Sequence, residues 1–385
     1  MNLPWTPFSL TMKPDKPRLC FVAPTAWPVL SGDRSVNTVG GSEVQQSILA
    51  RAFVKRGYRV SMICMDYGQP EGVEIDGVRV LKAHTPQGGL PVLRFVYPRF
   101  TSVWAAMKRA DADIYYQRSG GVLTGYVAAF CHLHGRKFLY AAASDADFDP
   151  AIPLVRFRRD KAIYSWGLRH SHDVVVQNPV QMARCREVYD RESVPVPSCY
   201  VPPRTFQADQ RGYVLWVSTL RKLKQPEVFI ELARRLPQYR FRMVGGADSR
   251  EYFEALRSLA EAVPNLEFAG FVAHVDIEPE FDGARLFVNT SKFEGFPNTF
   301  LQAWVRGVPT VSFVDTGSSV NGESVVNRVT TVDDMVIAVR GLMVDDAAWR
   351  EAGARCATCH ANQHSMQAVV SDYEAIFEKL LASRR

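Results

Sequence analysis

No apolar run in this 385-residue chain approaches the roughly 18 residues of a membrane-spanning helix, so a protein that crosses the bilayer is not expected. A GKS/T phosphate loop is absent, as is the glycine spacing of a dinucleotide fingerprint, which argues against those two modes of nucleotide binding. There are no low-complexity tracts or charge blocks. With 47% hydrophobic and 22% charged residues, the composition is that of an ordinary globular protein. The seven cysteines are an odd number, and Cys20, Cys64, Cys131, Cys185 and Cys199 have no partner at motif spacing, so buried free thiols are expected rather than a disulfide framework. The leading stretch "MNLPWTPFSLTMKPDKPR" carries three prolines before Asp15 and places its positive charge after its apolar part, the reverse of a signal peptide, and a cytoplasmic location is expected.

What is present is one plan used twice. A chain of this length exceeds what one hydrophobic core usually serves, so two domains are expected. In the first half "RLCFVAP", "YRVSMIC", "VRVLKA", "DIYYQRS", "KFLYAAA" and "DVVVQN" read as strands, with helical patterns such as "SEVQQSILARAFVKRG" between them. Ser42 is placed as the cap of that helix and Gly57 as its stop. After the proline-rich "VPVPSCYVPPR" the alternation restarts with "YVLWVST" and runs to "PTVSFVD". The fold class expected is α/β: two doubly wound Rossmann-like domains facing each other across a cleft, over residues 1–204 and 205–365. A terminal helix, 366–385, carries Val369, Val370, Tyr373, Phe377, Leu380 and Leu381 on one face and is expected to pack back toward the first domain.

Charge is divided unevenly. Residues 1–204 hold 26 Lys and Arg against 17 Asp and Glu, whereas 205–385 hold 20 against 23. The densest basic stretch, "LVRFRRDKAIYSWGLRHSHD", mixes Arg156, Arg158, Arg159, Lys161 and Arg169 with Phe157, Tyr164, Trp166 and Leu168. It suits either an interfacial helix on an anionic membrane or a solvated face over a buried stripe. His170 and His172 are read as surface or capping residues, and no nucleic-acid partner is expected.

Ligands of doubly wound folds bind beyond the carboxyl ends of the strands. Three stretches fall there. Gly40 and Gly41 precede a helix and leave backbone N–H groups accessible as a cradle for an anion or for sugar hydroxyls. "STLRKLKQP" crowds Arg221 and Lys224 into a loop that can neutralise a diphosphate. In "TSKFEGFPNTFLQAW", Glu294 stands between a strand and a helix whose first residues, Pro297, Asn298 and Thr299, leave free donors. A carboxylate beside unpaired amides can bind sugar hydroxyls, and Gly295 lets the backbone come close.

"GGSE", "LRKLKQPEVFIELARRLP", "RFRMVGG", "NLEFAGFV" and above all "LFVNTSKFEGFPNTFLQAWVRGVPTV" together resemble the retaining glycosyltransferases of family 4, of the GT-B type. The resemblance implies transfer from a nucleotide diphosphate sugar to a hydroxyl of a saccharide or lipid-linked acceptor, in polysaccharide or glycoconjugate assembly, without a metal or other cofactor. It gives Glu294 the donor-sugar hydroxyls, with Phe296 and Pro297–Thr299 assisting, and Lys224 the diphosphate. The family's second glutamate is replaced by Gln302, whose carbonyl oxygen can still accept from a ribose diol with less charge assistance. The family's arginine five residues before the lysine is replaced by Thr219, and Arg221 is the candidate substitute. Where a histidine commonly ends a first-domain strand, this chain has Ser144 and Asp145, with Asp145 the acceptor-side catalytic candidate. Contact with the inner face of a membrane is a further expectation.

Other readings are open at this level. "CATCH", Cys356 to His360, has the spacing of covalent haem attachment, which needs export. A sugar-nucleotide epimerase of the same fold, or a binding protein without turnover, would share the motifs.

Overall fold

The computed structural model describes residues 16–34, 40–89, 95–149, 155, 157–202 and 212–382. Residues 1–15 of the leading stretch, Arg156 and the end of the proline-rich connection lie outside them.

The first domain is an eight-stranded sheet of β1 (Arg18–Val22), β2 (Arg59–Cys64), β3 (Glu74–Ile75), β4 (Val78–Lys82), β5 (Ile114–Arg118), β6 (Lys137–Ala141), β7 (Asp173–Val176) and β8 (Val194–Pro195). Its order is β3-β4-β2-β1-β5-β6-β7-β8, with every pairing parallel except the short β3–β4 hairpin. The helices α1 (Trp27–Ser31), α2 (Gly41–Lys55), α3 (Thr101–Ala110), α4 (Val122–His134), α5 (Arg158–Arg169) and α6 (Pro179–Tyr189) cover both faces. Strands such as β5 and β7 are buried at every residue, which explains their continuous rather than alternating apolar character. The proline-rich stretch begins inside this sheet, since Val194 and Pro195 form its edge strand; a proline is tolerated at such an edge.

The second domain repeats the scheme with β9 (Tyr213–Val217), β10 (Arg240–Val244), β11 (Leu266–Gly270), β12 (Ala284–Asn289) and β13 (Thr310–Ser312). A small ribbon of β14 (Ser319–Val320) and β15 (Glu323–Ser324) follows, and β16 (Val326–Arg328) completes the main sheet. The parallel order is β11-β10-β9-β12-β13-β16. Around it lie α7 (Pro226–Arg235), α8 (Arg250–Glu261), α9 (Glu278–Asp282), α10 (Asn298–Trp304), α11 (Val332–Val344) and α12 (Asp346–Gln363).

The chain then recrosses. α13 (Met366–Ala382) buries Val369, Val370, Tyr373, Phe377 and Leu380 in the first domain's core, with Ile376 added and Leu381 left exposed. The two crossings are tied side by side: His364 Nδ1 donates to the Ser198 carbonyl at 2.7 Å and His360 Nε2 to the Tyr200 carbonyl at 2.9 Å. The C-x-x-C-H spacing thus serves helix packing. Cys356 and Cys359 are buried free thiols, and the histidine's ring is committed to the crossing.

Candidate active site

The carboxyl ends of both sheets open on one cavity of about 680 Å³. Its walls are the segments that follow β1, β5 and β6 on one side and β9, β10, β11 and β12 on the other, so the topology alone assembles it from distant stretches.

On the second-domain wall, Lys224 Nζ lies 2.5 Å from Glu294 Oε1, and Ser291 Oγ donates to the same oxygen at 2.6 Å. Both side chains are mostly buried but line the cavity. Their registration is built in. Trp216 Nε1 donates to Thr290 Oγ1, which reaches the carbonyls of Lys224 (2.6 Å) and Gln225 (3.0 Å), while the Lys292 N–H donates to the Leu223 carbonyl at 3.0 Å. The lysine loop is therefore fastened to the glutamate loop at three points. The backbone N–H groups of Gly295, Phe296, Asn298 and Thr299 find no acceptor among the described residues, and these residues line the same cavity. A carboxylate with one oxygen taken, an ammonium and a row of unused amides can hold a polyhydroxylated ligand that carries phosphate.

Gly295 makes a close contact across the cavity as well. A β-carbon there would stand 2.5 Å from the Ala143 carbonyl oxygen and 2.8 Å from Ser144 Cα, so the glycine makes room for the first domain. Asn298 also spans the cavity: its Nδ2 donates to the Gly41 carbonyl at 2.8 Å, and its Oδ1 accepts from Gln45 at 3.0 Å. The Gly40–Gly41 turn lies in the wall, but Gly40 rather than Ser42 is the N-cap of α2. The Glu43 carboxylate folds back over Gly40 and accepts from Thr25 Oγ1 at 2.6 Å. With that charge already at the helix start, the turn suits sugar hydroxyls better than an anion.

Three further candidates differ in how they meet the cavity. Arg221 lines the cavity but is largely exposed, and its guanidinium pairs with Asp248 at 2.8 Å, so filling the place of Thr219 requires leaving that partner. Asp145 accepts from Asn178 Nδ2 (3.2 Å) and Gln181 Nε2 (2.9 Å); at this point the wall is made by Ala143 and Ser144 instead. Gln302 lines the cavity, buried, with its Nε2 unpartnered. Beneath it Arg306, fully buried, pairs with Glu278 (2.5 Å) and Asp282 (2.7 Å), and Tyr200 donates to Glu278. His170 stacks on Trp166 and His172 accepts from the Phe138 N–H, both away from the cavity.

Two wall residues carried no motif. Arg118, at the end of β5, is buried; its amino groups reach Ser198 Oγ at 3.3 Å and Tyr116 at 3.5 Å, and its Nε is unpartnered. The carboxyl group acting on it, that of Asp147, is buried; burial pushes its pKa up and the N–H groups of Ala143, Gly120 and Ser144 hold it down. His274 lines the cavity with its pKa lowered by burial. Nothing in the local pattern of "YYQRS" or "VAHV" singles out these residues; they become visible only when β5 and β11 end at the same cavity. Among the described residues no group of three or more His, Cys, Asp or Glu is placed to hold a metal ion.

With this geometry in view, the family profiles decide the lineage. The profile described as "Glycosyl transferases group 1" matches residues 211–345, and that described as "Glycosyl transferase 4-like domain" matches 40–204. The chain belongs to the group 1 glycosyltransferases of family 4 type. Among curated relatives, this glycosyltransferase is 23% identical over 298 residues to a phosphatidylinositol N-acetylglucosaminyltransferase subunit of Arabidopsis thaliana, covering 71% of this chain and 64% of that protein. It is 29% identical over 151 residues to the O-antigen biosynthesis glycosyltransferase WbnH of Escherichia coli, 39% of this chain and 37% of that one. The aligned part is thus less than two thirds of either relative. Sucrose-phosphate synthase of Thermosynechococcus elongatus superposes with a TM-score of 0.75 at 17% identity, over 96% of this chain and 100% of that one. HepE of Anabaena, solved with UDP-glucose, superposes with a TM-score of 0.68 at 13% identity, over 94% and 100%. At such identities the superpositions establish the shared GT-B fold.

Proposed function

We propose that this glycosyltransferase moves a sugar from a nucleotide diphosphate sugar to a hydroxyl of a saccharide or lipid-linked acceptor with retention of anomeric configuration. The observation that carries the proposal is the Lys224–Glu294 pair, fastened at the carboxyl end of the second sheet beside a row of unused backbone amides. Glu294 holds donor hydroxyls, Lys224 and the amides hold the diphosphate, and the ribose lies against Gln302. The bond between the anomeric carbon and the diphosphate oxygen breaks while the acceptor oxygen bonds the same face of that carbon. The acceptor's proton passes to a phosphate oxygen of the leaving diphosphate. Lys224 and the amide dipoles are aimed where negative charge accumulates, so the reaction does not depend on a divalent cation. The second domain grips the donor, the first presents the acceptor, and contact between Gly295 and Ala143 marks the approach that excludes water. Similarity to a protein named for O-antigen biosynthesis supports assembly of a polysaccharide as the setting, and we place that setting at the inner face of the cell membrane.

A thermal-shift screen against nucleotide diphosphate sugars tests the donor. A ligand at 100 times its dissociation constant stabilises by about 2.7 kcal/mol. The shift is expected to vanish in Glu294→Ala and Lys224→Ala, and a shift of wild-type size in both contradicts the assignment. The anomeric configuration of the product, read by proton NMR, decides retention.

A further inference from the structure

The outward face of α5, in the basic half of the molecule, sets cations beside exposed aromatics. α5 turns Tyr164, Gly167 and Leu168 inward, and its seat against α4 is tight, because a β-carbon on Gly167 would stand 2.5 Å from the backbone of Gly125. The outward line, at spacings of four, four and three, is Arg158, Ala162, Trp166 and Arg169, with Arg159 and Lys161 flanking it. Within α5 the one acidic residue is Asp160, and it is paired with Arg159 at 2.7 Å. Trp166 is 40% exposed, and Phe157, just before the helix, is 60% exposed.

The segment Phe95–Phe100 joins this surface. Phe100 packs on the Tyr126 ring of α4 at 4.8 Å, and Asp160, Arg159 and Arg99 all act on that tyrosine's hydroxyl, so the segment and the start of α5 flank the same residue. Tyr97, 71% exposed, and Val96 stand beside it.

The geometry points to this surface, the outward face of α5 with Val96 and Tyr97, as the docking face for an anionic lipid bilayer. Cations that outnumber their neighbouring carboxylates are drawn to anionic headgroups, and aromatic rings projecting from a rigid helix enter the interface between headgroup and acyl chain. An acidic protein would use the cations but leave Phe157, Tyr97 and Trp166 unexplained as a group. The inference rests on the reading that the acceptor is borne on a membrane.

The test is sedimentation of the full chain with vesicles, without donor or acceptor. Binding to phosphatidylcholine vesicles containing phosphatidylglycerol is expected, with little binding to phosphatidylcholine alone. R158Q/K161Q is expected to weaken binding roughly 25-fold, at about fivefold for each removed charge. F157S/W166S is expected to weaken it as well, with melting temperatures and donor-induced stabilisation unchanged in both. Charge removal on the second domain, R234Q/R257Q, is expected to have no effect. Equal binding to both vesicle types, wild-type binding by R158Q/K161Q, or equal loss in R234Q/R257Q overturns the proposal. A chain that transfers sugar in solution yet ignores anionic vesicles overturns the docking face alone. One that binds vesicles but no nucleotide sugar overturns the donor reading alone.

Discussion

Gly295 of the second domain and Ala143 of the first meet so closely that a β-carbon on the glycine would lie 2.5 Å from the alanine carbonyl oxygen. The same β-carbon would lie 2.8 Å from Ser144 Cα, which is backbone too, so no rotation of a neighbouring side chain alone makes room. Gly295→Ala is therefore expected to hold the domains apart while leaving the donor wall intact. Turnover falls at least tenfold, donor-induced stabilisation stays within a factor of about two of wild type, and the radius of gyration in solution X-ray scattering rises. Loss of donor binding in equal measure would show that the glycine serves the ligand itself.

Gln302 offers a second test, because a carboxylate there restores the family's usual pattern at a cost this chain makes visible. The amide is buried, and the Glu278 carboxylate already shares the space beneath it with Tyr200 and Arg306. A charge-assisted bond to a ribose hydroxyl is worth about 1 kcal/mol more than a neutral one, whereas a buried carboxylate near another costs about 1–3 kcal/mol. Gln302→Glu is expected to tighten donor binding up to about fivefold and to lower the melting temperature of the free protein. Its buried carboxyl titrates above the ordinary range, so the loss of stability grows as pH rises from about 5 to about 8. A variant as stable as wild type across that range would remove Glu278 from the account.

Much of this is legible in the sequence for a local reason. Each strand and helix of a doubly wound domain announces itself by an apolar run or a helical period. The motif from Thr290 to Trp304 is one contiguous strand-loop-helix, so Glu294 and the amides after it travel together. Lys224 is readable because its loop opens a helix with Pro226. The partners chosen across the cavity are not readable. That Arg221 meets Asp248, that Asp145 is taken by Asn178 and Gln181, and that Gly295 touches Ala143 depend on side-chain directions at the ends of separate strands. Ser42 fails as a cap for a similar reason: the turn already carries the Glu43 carboxylate, and the helix starts at Gly41. The buried cation Arg118 carries no signal of its own, because arginine at a strand end reads as surface until the sheet closes over it.

The tie between the two crossings predicts acid sensitivity. His364 is buried, with Nδ1 donating to Ser198 and Nε2 unpartnered, and burial lowers its pKa from 6.5 to about 4. Because the folded protein refuses a proton that the unfolded chain accepts, stability is full above the unfolded value of 6.5 and falls as pH drops toward 4. The full difference is about 3 kcal/mol for this residue. His172, His274 and His360 are lowered by burial too and act in the same direction. Urea midpoints are expected to fall between about pH 7.5 and about pH 5. His364→Gln, which keeps a donor for the Ser198 carbonyl but has no titration, is expected to flatten the decline. An unchanged slope in that variant would assign the sensitivity to the other histidines.

Thr219 gives the most direct check on how the diphosphate is held. It lines the cavity on the loop after β9, five residues before Lys224, and Arg221 nearby is engaged by Asp248. If the pocket lacks one guanidinium, Thr219→Arg supplies it from the wall itself, and a charge-assisted hydrogen bond to phosphate contributes about 1.5–3 kcal/mol. Donor affinity measured by calorimetry is then expected to rise about tenfold or more, with a steeper dependence on salt. Asp248→Ala is the companion variant, because freeing Arg221 lets the native cation reach the same oxygens. If Arg221 already serves when the donor is bound, Asp248→Ala strengthens binding and Thr219→Arg adds little on top of it. Should Thr219→Arg weaken the donor instead, the diphosphate does not pass that wall, and Lys224 holds some other part of the ligand.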